Sequence, residues 1–146
     1  MQFDLQPGIH VTPKVDYTKF DPDQDSGRRR GIYRFLFRTL PDPFMDALDC
    51  PAGDQLTPQR NSGVTVQQAL ALWNHAFVLR HCRHLADRVI HEAATPKLRV
   101  DLLTHLLLGR GPTGAEVADW TSYADRHGLE NLVRVLMNSN EFVFVP

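Results

Sequence analysis

"TVQQALALWNHAFVLRHCRHLADRVIHEAATP", residues 65–96, decides the fold class. Thr65 and Gln68 stand in the Thr-x-x-Gln spacing of a capping box, in which each side chain satisfies the other residue's backbone N–H. Val66, Ala69, Leu70, Trp73, Phe77, Leu79 and Val89 follow at mostly helical spacings. A helical stretch is therefore expected to about Ala94, with a bend near Asn74-His75. Thr95-Pro96 opens the next helix, because proline at the first helical position lacks only an N–H that would have no partner there. Val100, Leu103, Leu106 and Leu107 line one face of it, and Gly109 ends it. Thr113 and Glu116 form a second capping box before Val117, Trp120 and Tyr123, and Gly128 stops that helix. A last helix carries Leu129, Leu132, Val133, Leu136 and Met137, and "EFVFVP" reads as an extended tail.

Working toward the N-terminus, the pattern weakens. Residues 50–63 read as a loop rich in Pro, Gly, Asp and Asn. "PFMDALD" suits a short helix with Asp42 as N-cap and Pro43 at its first position. "GIYRFLFRTLP" fits either a short strand or one helical turn. Residues 1–27 hold Pro7, Gly8, Pro13, Pro22 and Gly27 and no helical period, so they read as an extended arm. The sequence thus predicts an all-α fold, a small domain of four to five helices over 28–146 with an extended, loop-rich N-terminal arm over 1–27.

Composition bounds the function. At 146 residues, 42% hydrophobic and 23% charged, the chain suits one ordinary domain. A net charge of −1 argues against a dedicated nucleic-acid binder, which carries a basic excess. No apolar run approaches the roughly 18 residues of a spanning helix, and no basic-then-apolar export signal follows Met1. The two cysteines, Cys50 and Cys82, allow one disulfide or two separate thiols.

Five arginines lie in residues 28–38, and Asp4, Asp16, Asp21, Asp23 and Asp25 precede them. Guanidinium groups beside aromatic rings suit stacking and oxyanion binding. The same groups equally suit pairing with nearby carboxylates, which orders a loop-rich region. The second reading is preferred on the net charge. His81, His84 and His91 share a helical face, yet Arg80, Arg83 and Arg88 surround them and no HExxH occurs. Asp21, Asp23 and Asp25 imitate the opening of a calcium loop, but Ser26 and Ile32 occupy its glycine and glutamate positions. No nucleophile elbow or phosphate-binding loop is present. No catalytic residue, metal site or cofactor is expected.

"DPDQDSGRRRGIYRFLFRTLPDPFMDALDCP" resembles a planctomycete-type C-terminal domain of unknown function, found in large exported proteins that often carry a cytochrome-c-like module. The likeness rests on Arg29, Arg30, Ile32, Tyr33, Arg34 and Phe35, then Arg38, Thr39, Pro41 and Pro43, then Asp49, Cys50 and Pro51. It continues through Arg60, Asn61, Gln68, Ala69, Leu70 and Leu72 to Asn74, through Leu108, Gly109, Arg110, Pro112, Thr113 and Glu116, and closes on Met137, Asn138, Asn140, Glu141 and Phe142. Gly31, the Val66-Gln67 pair and Trp73 depart from the usual pattern.

The resemblance implies the end of a larger domain, a location in the cell envelope or outside the cell, and no established activity. The expected role is a non-catalytic structural or interaction module, contacting a protein partner, a companion domain or a complex polysaccharide. The alternative is a part of an enzyme system degrading or oxidising sulfated or acidic glycans, in which the arginines bind anionic groups. Candidate ligand-binding residues are Arg29, Arg30, Tyr33, Arg34, Arg38, Arg60 and Trp73. Asp49, Asn74, Asn140 and Glu141 are the candidate structural polar cluster.

Overall fold

A computed structural model describes residues 16–25, 31–33, 40–51 and 65–144. Among the described residues there are seven α-helices and no strand, so the fold is all-α. The chain divides into two compact units, residues 1–71 and 72–146.

In the first unit, Tyr17–Lys19 and Gly31–Tyr33 form single 3-10 turns. The Tyr17 hydroxyl donates to the Leu40 carbonyl at 2.6 Å, which ties two distant loops together. Helix α1, Pro43–Ala47, begins where the sequence places it. Asp42 Oδ1 accepts from the backbone N–H groups of Phe44 and Met45, at 2.9 and 3.3 Å, and so satisfies donors that have no intrahelical partner. Asp21 Oδ1 accepts from the Asp23 N–H at 3.0 Å, so this aspartate closes a turn.

Helix α2, Val66–Asn74, carries the expected capping box: Gln68 N donates to Thr65 Oγ1 at 3.1 Å and Thr65 N to Gln68 Oε1 at 2.9 Å. The expected bend is a full break. His75 adopts an extended backbone and becomes the N-cap of α3, Ala76–Glu92, its Nδ1 accepting from Phe77 N at 3.3 Å. Two helices therefore replace the single long one.

The second unit is a bundle of α3, α4 (Pro96–Leu108), α5 (Gly114–His127), α6 (Leu129–Met137) and α7 (Asn140–Val143). α3 packs on α6, α6 on α5, α5 on α4, and α4 back on α3. Val78, Cys82, Ala86 and Val89 give α3 one buried stripe. It meets Val100 and Leu103 of α4 and Leu132, Val133 and Leu136 of α6 in the core. Each of the fully covered Val and Leu side chains contributes about 1.5–3 kcal/mol of transfer free energy. Thr104, wholly buried, satisfies its hydroxyl by donating to the Val100 carbonyl at 2.7 Å.

The expected punctuation of these helices holds. Thr95 caps α4, and Thr113 with Glu116 forms the reciprocal capping box of α5. Gly109 ends α4 at φ +70°, and Gly128 joins α5 to α6 at φ +89°. The C-terminal tail differs from its expected extended form. Ser139 Oγ accepts from Phe142 N and starts the one-turn helix α7, because the serine supplies a cap that the apolar pattern alone does not reveal. No described helix is long and apolar enough to cross a membrane.

Candidate functional site

Two arginines in the second unit gather the polar chemistry, and their hydrogen-bond inventories differ. A guanidinium carries five N–H donors in a fixed plane. Arg110 uses all five. Nε donates to Glu141 Oε1 at 2.6 Å, and Nη2 divides its two donors between Glu141 Oε2 (2.9 Å) and Glu116 Oε1 (2.8 Å). Nη1 donates to Glu116 Oε2 at 2.9 Å and to the Gly111 carbonyl at 3.1 Å. Each carboxylate is thus gripped by a pair of parallel bonds, the strongest geometry open to this ion pair.

The ionisation follows from these contacts. Hydrogen bonds from Arg110, helped by the Thr113 backbone N–H, hold the Glu116 carboxyl down at about 2. The Arg110 hydrogen bonds lower Glu141 as well, and the two carboxylates together raise Arg110. Glu116 also closes the α5 capping box, so one side chain fastens a helix start and an arginine together. Glu141 lies in the first turn of α7, 31 residues from Arg110. The centre therefore joins the α4–α5 loop, the start of α5 and the C-terminal helix.

Arg134, on α6, is held differently. Its Nε donates to the Trp73 carbonyl at 2.7 Å and Nη2 donates to Asn74 Oδ1 at 2.9 Å. Its guanidinium carbon stands 4.6 Å from the centroid of the Trp73 ring, a cation–π distance. Asn138 of the same helical face donates to the Leu72 carbonyl at 3.3 Å. Two of the last carbonyls of α2, those of Leu72 and Trp73, are thereby satisfied by side chains of Asn138 and Arg134. Trp73 remains 39% exposed.

Among the described residues, the histidines and Cys82 of α3 form no third centre. His81 lies edge-on to Phe77 at 4.4 Å between ring centroids, and burial, then the neighbouring His84, lowers its pKa. Cys82 is buried, with its thiol 3.7 Å from the Met137 sulfur; burial raises its pKa, which leaves it a poor nucleophile. Cys50 and Cys82 are both free thiols. Among the described residues no three His, Cys, Asp or Glu side chains converge as a metal site requires. An open groove of about 440 Å³ lies along Glu92, Ala93, Leu98, Asp101, Leu102 and His105. Its Glu92 is held by Arg88 at 2.8 Å, and Asp101 lies 3.7 Å from His105 Nδ1.

The residues singled out from the sequence fall as follows. Arg29, Arg30, Arg34, Arg38 and Arg60 lie outside the described residues. Tyr33 is 67% exposed at the end of its 3-10 turn. Asp49 is half-buried in a left-handed conformation at φ +58°, with its N–H on the Asp46 carbonyl. Trp73 and Asn74 come together at Arg134, and Glu141 meets Arg110. Asn140, exposed, begins α7, and its carbonyl accepts from Phe144 N. Arg110 and Glu116 entered the sequence reading only as motif and capping residues, and Arg134 did not enter it.

A family model described as "PSD1: Protein of unknown function (DUF1553)" matches residues 4–124. Trp73, Asn74, Arg110 and Glu116 fall inside the matched stretch, and Arg134 and Glu141 beyond it. No curated protein and no solved structure matches the chain.

Proposed function

The chain belongs to the PSD1 family of proteins of unknown function (DUF1553), and on that footing we propose that it is a non-catalytic structural or interaction module. One observation carries the reading. The most strongly perturbed ionisable cluster among the described residues, Arg110 with Glu116 and Glu141, has every guanidinium donor already bound to protein. An incoming anion must displace a carboxylate that is itself held by two parallel bonds, so this centre fastens helices and does not receive ligand. Its work is to keep a rigid helical body on which recognition surfaces are displayed.

The finer parts of the reading rest on the resemblance alone. They place the module in the cell envelope or outside the cell, beside a companion domain or a complex polysaccharide. The test is thermal unfolding of Arg110→Ala at neutral pH. A fastener predicts a lower melting temperature, with partial recovery in Arg110→Lys, which restores the charge and loses the fork. Unchanged melting of Arg110→Ala would overturn the assignment and reopen the centre as a ligand site.

A further inference from the structure

We infer that Arg134, Trp73 and Asn74 form a binding site for the carboxylate of an acidic saccharide. This rests on the reading of the chain as an interaction module and names what one of its surfaces takes. The donor inventory carries it. Arg134 spends two of its five N–H groups, on the Trp73 carbonyl and Asn74 Oδ1. Those are the donors along its Nε side. Both donors of Nη1 and the second donor of Nη2 meet no acceptor among the described residues. They include the end-on fork, the pair of parallel N–H groups that matches the two oxygens of a carboxylate.

The fork is also preorganised. Two hydrogen bonds and the indole at 4.6 Å fix the guanidinium plane before any ligand arrives, so little rotamer freedom remains to be lost on binding. Arg110, of the same residue type, has no such donors left. That contrast separates a binding arginine from a fastening one within a single helical unit.

The groups around the fork select the class of ligand. Trp73, 39% exposed, offers an apolar aromatic surface to sugar C–H groups. Asn74 turns its Oδ1 to Arg134, which leaves its amide N–H groups for a hydroxyl or carbonyl oxygen. Arg83 and Glu130 are paired with each other at 3.4 Å. One fork, one ring and one amide match a single carboxylate on a hydroxylated ring. They do not match the closely spaced charges of a nucleic acid, which need several cations in a row.

The experiment is a titration of the whole chain with tri-galacturonate, followed by amide and side-chain NMR shifts. The Trp73 indole N–H and Arg134 Nε–H resonances are expected to move together and saturate. Galactotriose, its uncharged counterpart, should bind about tenfold more weakly, as loss of a charge-assisted pair implies. Arg134→Lys, checked by melting, should lose a similar factor, because it keeps the charge and loses the fork. Equal binding of the two sugars overturns the inference, as does an unaffected Arg134→Lys variant. So does a hexaglutamate peptide binding as tightly as the sugar, which would assign the surface to an acidic protein, or inorganic sulfate saturating the same resonances as tightly. Those failures leave the Arg110 melting experiment free to decide the module reading separately.

Discussion

Gly109 and Gly128 allow the backbone reasoning to be tested without steric complication. Both have positive φ, and a Cβ added at either position would meet nothing within 4 Å. Any cost of alanine is therefore conformational. Gly109 sits at φ +70°, ψ +10°, in the left-handed helical region. There an L-residue costs about 1–2 kcal/mol, part of which alanine recovers by restricting the unfolded chain. The net loss for Gly109→Ala is about 1 kcal/mol. Gly128 sits at φ +89°, ψ +149°, a region that glycine alone populates readily. Gly128→Ala should cost about 2 kcal/mol. For a chain of this length 1 kcal/mol moves the melting temperature by about 3 °C, so the variants should separate by about 3 °C in a thermal scan. Asparagine tolerates the left-handed region, and Gly109→Asn should recover much of the loss while Gly128→Asn recovers little. Equal losses, or no gain from asparagine at 109, would refute the argument.

The fastening centre has an acid signature. Glu116 and Glu141 have folded pKa values below their unfolded ones, Glu116 at about 2, so their contribution is fully present above pH about 4.5 and declines as pH falls toward 2. Acid unfolding followed by circular dichroism should show this decline in the wild type and a flatter profile in Arg110→Ala. Leu103, wholly buried, should cost about 3 kcal/mol as Leu103→Ala, whereas Leu98→Ala on the exposed side of α4 should change stability by less than about 0.5 kcal/mol in urea titration. A thiol reagent should modify Cys50 quickly and Cys82 only as fast as the fold opens, since Cys82 is 2% exposed and burial raises its pKa. Equal rates at the two cysteines in mass spectrometry would contradict the placement of Cys82.

Much of the fold was legible because its punctuation is local. Asp42-Pro43, Thr65 with Gln68, Thr95-Pro96, Gly109 and Thr113 with Glu116 each act over three or four residues, and each starts or stops a helix where the sequence indicates. The departures have equally local causes. His75 is a weak cap signal, so a bend was expected where the helix breaks, and Ser139 starts a helix too short to show a period. The two arginine centres were hidden for another reason. Arg110 meets Glu141 across 31 residues and Arg134 meets Asn74 across 60, distances that only the packing of α4 to α7 and of α6 on the end of α2 can close. One signal was available: Arg110 with Glu116, and Glu141, stand in the last two motifs of the family resemblance. Two ordered motifs containing opposite charges are what a fastening between them requires.

The same physics explains why residue type alone could not sort these arginines by role. Both are partly exposed, both touch side chains distant in sequence, and both are bound on the Nε side. What differs is the second edge of the plane. At Arg110 Glu116 takes it, and the α5 capping box also holds that carboxylate in place. At Arg134 the partners are a carbonyl and an amide oxygen, neutral groups that accept hydrogen bonds but leave the positive charge uncompensated. A charge fixed in position and not neutralised is favourable for an oxyanion and costs little in exposed surroundings. Placing a carboxylate within reach, as Asn74→Asp does, should therefore convert Arg134 toward the Arg110 state. That variant is expected to melt no lower than the wild type and to lose uronate binding by about tenfold. Retained binding in Asn74→Asp would mean that the uncompensated charge is not what the surface offers.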